Sequence, residues 1–188
     1  MSNSQLFTTA LAYFNRGDKA GAARLADQLI CADYSPAHTL RGLIFEFGGK
    51  DVAINLEKAL SHYRQAAYSM PSDINFLALA RVLMKVGGRE NYRTAYRYLE
   101  EASKISTSPE ISLAYGKYYS TKETPNFSEA KHCYLRAAIA GRVLGITGYS
   151  SVLRKAGHRW RAYFVFSLAV VITPIVRLLL GKKSIKDF

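Results

Sequence analysis

Acidic residues are scarce, with 14 Asp and Glu against 26 Lys and Arg in 188 residues. The resulting charge of +12 favours acidic lipid, nucleic acid or an acidic protein surface as partner, without choosing among them. Cysteine is nearly absent. Cys31 and Cys133 form no CxxC pair, which excludes a disulfide framework or a zinc module and leaves both expected as buried small apolar residues in a reducing compartment. The four histidines, His38, His62, His132 and His158, make no HExxH and have no second ligand at metal spacing along the chain. Gly48-Gly49-Lys50 and Gly87-Gly88-Arg89 lack the length and the Ser/Thr of a phosphate-binding loop, and Glu100-Glu101 are neighbours that point apart on a helix. No catalytic residue, cofactor or metal is therefore expected, and the chain is not read as an enzyme. Alternating apolar and polar runs bounded by turns are also missing, which argues against strands.

What the chain has is a repeat. In Ala59-Leu-Ser-His-Tyr63-Arg-Gln-Ala66-Ala67, small residues stand at positions one, eight and nine and a large one at five. The signature recurs at Ala95, Leu99, Ala102, Ser103 and at Ala130, Tyr134, Ala137, Ala138. Weaker copies are Ala22, Ala26, Leu29, Ile30 and Ala162, Phe166, Ala169, Val170, so the first alanines lie 37, 36, 35 and 32 residues apart. Offsets of four, seven and eight keep these side chains on one helical stripe, and the alanines admit a neighbouring helix closely. A second helical segment precedes each copy: Leu6 to Phe14, Ala37 to Phe47, Ile74 to Val86, Ile111 to Ser120, and Val143 to Lys155. Three of them carry a small residue near the middle, Gly42, Ala80 and Gly116. Glycine in a helix costs about 1 kcal/mol against alanine, so Gly42 and Gly116 predict tight contact. Gly17-Asp18, Gly48 to Asp51 and Gly87 to Glu90 read as a helix stop followed by an acidic helix start, and Pro36, Pro71 and Pro109 mark further starts.

The Ala-x3-Tyr-x2-Ala-Ala pattern at a period near 36, with a small residue in the partner helix and a glycine-rich turn, resembles the Sel1-like repeats, relatives of the tetratricopeptide repeats. It covers about residues 5 to 157. The resemblance implies an all-α, right-handed α-solenoid of about five antiparallel helix pairs, with a repeat domain over residues 1–157; the residues beyond it read as a basic-flanked hydrophobic membrane-anchoring helix and tail over 158–188. It also implies a scaffold that captures a protein segment on a concave face lined by the first helices, as bacterial relatives do in envelope or exopolysaccharide assembly. In that alignment Leu43, Arg81 and Lys117 follow the three small residues, and Glu46, Met84 and Ser120 form the next row. Arg81, Lys85 and Lys117, with Leu43 and Met84, are the candidate groove for an acidic partner. The clusters Tyr92, Tyr96, Tyr98 with Arg93, Arg97, and Tyr115, Tyr118, Tyr119 around Lys117, are read mainly as packing. Their alternative is a soluble basic module that binds RNA.

From Ala162 to Val176 no residue is charged, and basic residues flank the segment on both sides. Nineteen residues from Ala162 to Leu180 make a helix of about 28 Å against a hydrocarbon core of about 30 Å. Trp160, Tyr163, Phe164, Phe166, Leu168, Val170, Ile172, Ile175 and Leu179 are the expected lipid contacts, with Arg177 reaching the interface. Residues 150–188 carry a net charge of +7 against +5 for 1–149, as anionic lipid favours. Ser2 to Ala10 have neither a basic nor a continuous apolar stretch, so no secretory signal is read, and the repeat domain is expected to face the cytoplasm from a membrane. A repeat cap or an oligomer contact is the competing reading of this helix.

Overall fold

The computed structural model of the chain describes residues 2–167. Every element longer than a turn in that range is a helix, and a lone bridge joins Gly49 to Val52. The helices are α1 (Asn3–Asn15), α2 (Lys19–Cys31), α3 (Pro36–Phe47), α4 (Leu56–Ser69), α5 (Asp73–Val86), α6 (Arg89–Ile105), α7 (Pro109–Thr121), α8 (Phe127–Ile139) and α9 (Val143–Lys155). A further helical stretch, α10, covers residues 159–167. The chain divides into two compact units, Met1–Ser106 and Thr107–Phe188, a division that falls inside the 1–157 repeat domain expected from the sequence. In the first unit each helix from α1 to α6 packs on the next; in the second, α8 packs on both α7 and α9, and α7 touches α9.

The stripe alanines make this stacking possible. Ala22, Ala59, Ala95 and Ala130 are all fully buried, as are Ala26, Ala66, Ala102 and Ala137 further along the same faces. Size is matched across three of the helix pairs. A Cβ on Gly42 would lie 2.6 Å from the Tyr63 ring, and one on Gly116 would lie 2.8 Å from the Tyr134 ring. Where the large residue is instead the smaller Leu99, the partner helix carries Ala80, and both are fully buried. Tyr134 is gripped from a second side, because a Cβ on Gly148 of α9 would lie 2.4 Å from its ring.

Punctuation follows the sequence in most places. Asp18 caps α2 by accepting from the Gly21 amide at 2.7 Å, Pro36 and Pro109 open α3 and α7, and Gly87-Gly88 turn with φ of +79° and +84°. Pro71 stands directly before Ser72, the cap of α5, and so marks that helix start. Two expectations are corrected. Asp51 starts no helix; it sits in a turn, and Asn55 caps α4 by accepting from the Lys58 amide. Cys31 is exposed rather than buried, since it ends α2 on the outer side, whereas Cys133 is buried and burial raises its thiol pKa.

Candidate functional site

Three side-chain contacts are separated by one repeat period, and they tie the first helix of one pair to the first helix of the next. Thr39 of α3 donates to Asn75 of α5 at 2.8 Å, 36 residues on. Arg81 of α5 meets Glu46 of α3, 35 residues back. In the second unit Lys155 donates to the Ser120 carbonyl, also 35 residues away. Asn75 is 1% exposed and donates to the Ala66 and Met70 carbonyls at the end of α4, so it satisfies groups that burial would otherwise orphan.

The densest of these contacts is the Glu46 cluster. Glu46 lies one turn after Gly42, and the glycine lets the Tyr63 ring lie flat on α3 with its hydroxyl 2.8 Å from the carboxylate. The guanidinium of Arg81 then takes both carboxylate oxygens at 2.7 Å, and Lys85, one turn further along α5, donates to Oε1 at 2.7 Å. Glu46 and Tyr63 are buried to 2% and 0% exposure, while the Arg81 and Lys85 side chains remain 40% and 39% exposed. Burial alone would raise the Glu46 pKa; the bonds and charge of Arg81, with Lys85 and Tyr63, outweigh it and hold the carboxyl below its usual range. Burial and the adjacent carboxylate push the Tyr63 hydroxyl up. Two fixed cations around one buried anion leave one net positive charge at the surface. Beside it Phe47 is 51% exposed, with Lys85 Nζ 4.5 Å and the Arg81 guanidinium 5.7 Å from its ring centre.

The other units show how local this charge is. Tyr134 shares its hydrogen bond with Ser120, which stands at the register of Glu46, and the pair Met84 and Leu99 fills the same register with no polar atom. Of the residues singled out in the sequence, Arg81 and Lys85 are thus brought together, Leu43 is half-buried on α3, Met84 is 8% exposed and belongs to the core, and Lys117 is exposed in the second unit. Tyr63 was not expected at the site, and Glu46 was placed only in the next row along the groove, not as the anion that joins Arg81 and Lys85. Their signal is the pairing of a tyrosine at position five with a polar residue one turn after the glycine, in two units and not in the third. Tyr92, Tyr96 and Tyr98 are half-buried, and Tyr98 stacks on Phe76 at 5.9 Å, in keeping with packing.

On the Thr39 side of the same helix, His38 and His62 meet Nδ1 to Nδ1 at 3.2 Å, two residues far apart in sequence. His62 stacks on Phe45, and Arg41 lies over the same ring while binding Asp27. Burial, then the His38 and Arg41 charges, pushes His62 down to about 4, and burial also lowers His38. A histidine kept neutral below its ordinary value near 6.5 stabilises the fold above that pH and loses the contribution as pH falls toward 4. Glu46, depressed in the fold, adds a loss in the same direction below the ordinary carboxylate range. Urea midpoints should fall from pH 7 to pH 4.5 by the equivalent of about 2 kcal/mol, partial exposure of the ring allowed for. The H62F variant should lose most of the part of that fall above pH 5.

Of the expected lipid contacts, Trp160, Tyr163, Phe164 and Phe166 fall on α10, with exposures of 88%, 66%, 71% and 49%. Leu168, Val170, Ile172, Ile175, Arg177 and Leu179 lie outside the described residues. Among the described residues no helix is long and apolar enough to cross a membrane, and no group of three metal-ligating side chains occurs.

This architecture is a helical repeat fold of the Sel1-like and tetratricopeptide-like kind. The crystal structure of the MamA protein superposes with a TM-score of 0.63 at 15% identity, over 89% of this chain and 90% of that one. A Sel1 repeat protein from Oxalobacter formigenes gives a TM-score of 0.58 at 15% identity, over 90% of this chain and 73% of that one. No family model and no curated protein matches the sequence.

Proposed function

We propose that the chain is a protein-interaction scaffold whose first unit binds an acidic segment of a partner protein, and that it docks on a membrane through the region beginning at residue 158, with the repeats facing the cytoplasm. The Glu46 cluster carries the first half of this reading. It holds Arg81 and Lys85 side by side, with one positive charge in excess, against an exposed phenylalanine, Phe47. That combination suits a carboxylate followed by an apolar side chain: the cations orient the acid, and the ring supplies area that charge at a rim does not. Leu43 flanks the cluster on α3, and Lys117 enters as a separate basic contact of the second unit. The four exposed aromatics of α10 and the uncharged run from Ala162 to Val176 support the second half.

Reversing Arg81 to glutamate is a poor test, because it sets a second carboxylate against buried Glu46. A photo-reactive phenylalanine analogue at position 47 of the full chain should capture the partner. An acidic peptide from the captured protein should then bind about tenfold more weakly to the F47A and K85Q variants, with helix content unchanged. Equal affinity for both variants and the parent chain would remove this surface from the reading.

A further inference from the structure

The second unit has a basic groove that repeat stacking does not use. About 510 Å³ opens between Lys131 of α8, Tyr149 of α9, and His158, Trp160, Arg161 and Phe164 at and along α10. No acidic residue lines it. None of the ion pairs among the described residues includes Lys131 or Arg161. Arg81 and Lys85, by contrast, share a carboxylate inside their own unit. Residues 107–167 hold nine Lys and Arg against three Asp and Glu, so the surroundings offer these cations little internal compensation. The groove's other wall is apolar and wet: Trp160 is 88% and Phe164 71% exposed, far more than large aromatics usually are.

We propose that this groove receives the phosphate of an anionic phospholipid, held between Lys131, Arg161 and His158, with the glycerol and upper acyl carbons along Trp160 and Phe164. The proposal rests on the membrane-docking reading above and gives it a site. Arginine and lysine supply the charged donors that a phosphodiester accepts from, and an indole beside them matches the headgroup layer, where amphipathic rings gather. The lining has no Asn, Asp, Gln or Glu to read a base edge, which disfavours a nucleotide. Tyr163 and Phe166, also exposed, add apolar surface elsewhere on α10.

Trp160 is the chain's one tryptophan, so its emission reports this groove alone. The full chain is titrated with vesicles of phosphatidylcholine and of phosphatidylcholine mixed with phosphatidylglycerol. A blue shift and tighter binding are expected with the anionic vesicles. The K131Q/R161Q double variant should bind them about tenfold more weakly, while K122Q/R136Q, with the same loss of charge elsewhere in the unit, should stay within about twofold. Equal binding to both vesicle types, or equal losses in the two double variants, overturns the groove and leaves membrane docking standing. Binding to neither vesicle overturns both. A shift with inorganic phosphate alone overturns the lipid as occupant.

Discussion

Replacing Glu46 with alanine should destabilise the first unit by about 3 kcal/mol, at the lower end of what breaking a buried ion pair costs. The carboxylate is the acceptor for three donors, and each fares differently without it. Tyr63 is 0% exposed, so its hydroxyl loses its partner where water cannot replace it. Arg81 and Lys85 keep about 40% exposure and swing toward solvent, which limits the loss. The E46A variant should therefore show a urea midpoint well below that of the parent at pH 7. Below the depressed Glu46 pKa the two should converge, because the parent then loses its own carboxylate charge. The third pair, Ala80, Met84 and Leu99, shows that the same register packs without a polar atom. An E46M/Y63F chain should thus recover most of the stability lost in E46A, since removing both partners of a buried bond costs far less than removing one. If it does, the charge at this register serves the surface beside Phe47 rather than the fold.

How much of this was legible depends on the distance over which each residue acts. The stripe alanines act within one helix and on the next, and a period of about 36 with offsets of four, seven and eight is visible in the order of residues; α3, α5, α7 and α9 fall within one or two residues of the expected segments. Gly42 and Gly116 were legible for the same reason, since a helix accepts glycine at a cost only where something large presses on it. The Glu46 cluster was half legible. Its row was identified, but a row of Glu, Met and Ser reads as a surface until one sees that the partner lies one repeat period on. The separations of 35 for Glu46 and Arg81 and 36 for Thr39 and Asn75 are the repeat length itself. The His38 and His62 contact was illegible, because 24 residues is neither a helical spacing nor the period.

The contact between α8 and α9 makes the second large prediction. A Cβ on Gly145 would come 2.4 Å from the Ala138 amide nitrogen and 2.6 Å from the Tyr134 carbonyl oxygen. Both are backbone atoms of α8, fixed by that helix's own hydrogen bonds, so the helices themselves must part. The G145A variant should cost about 3 kcal/mol, the upper range for overpacking, despite the better helix propensity of alanine. Gly148 meets only the Tyr134 ring, at 2.4 Å, and a ring can tilt where a helix cannot. G148A should therefore cost less than G145A, about 1–2 kcal/mol. Gly141 isolates the remaining variable. Its φ is +86° and no atom lies within 4 Å of a Cβ, so G141A carries only the left-handed penalty of about 1 kcal/mol. Urea denaturation of the three variants should rank them Gly145, Gly148, Gly141 from most to least damaging. A G145A chain as stable as G141A would mean that α9 stands further from α8 than the alanine and glycine stripes imply. The groove that α9 shares with Lys131 and Arg161 would then lose its fixed wall.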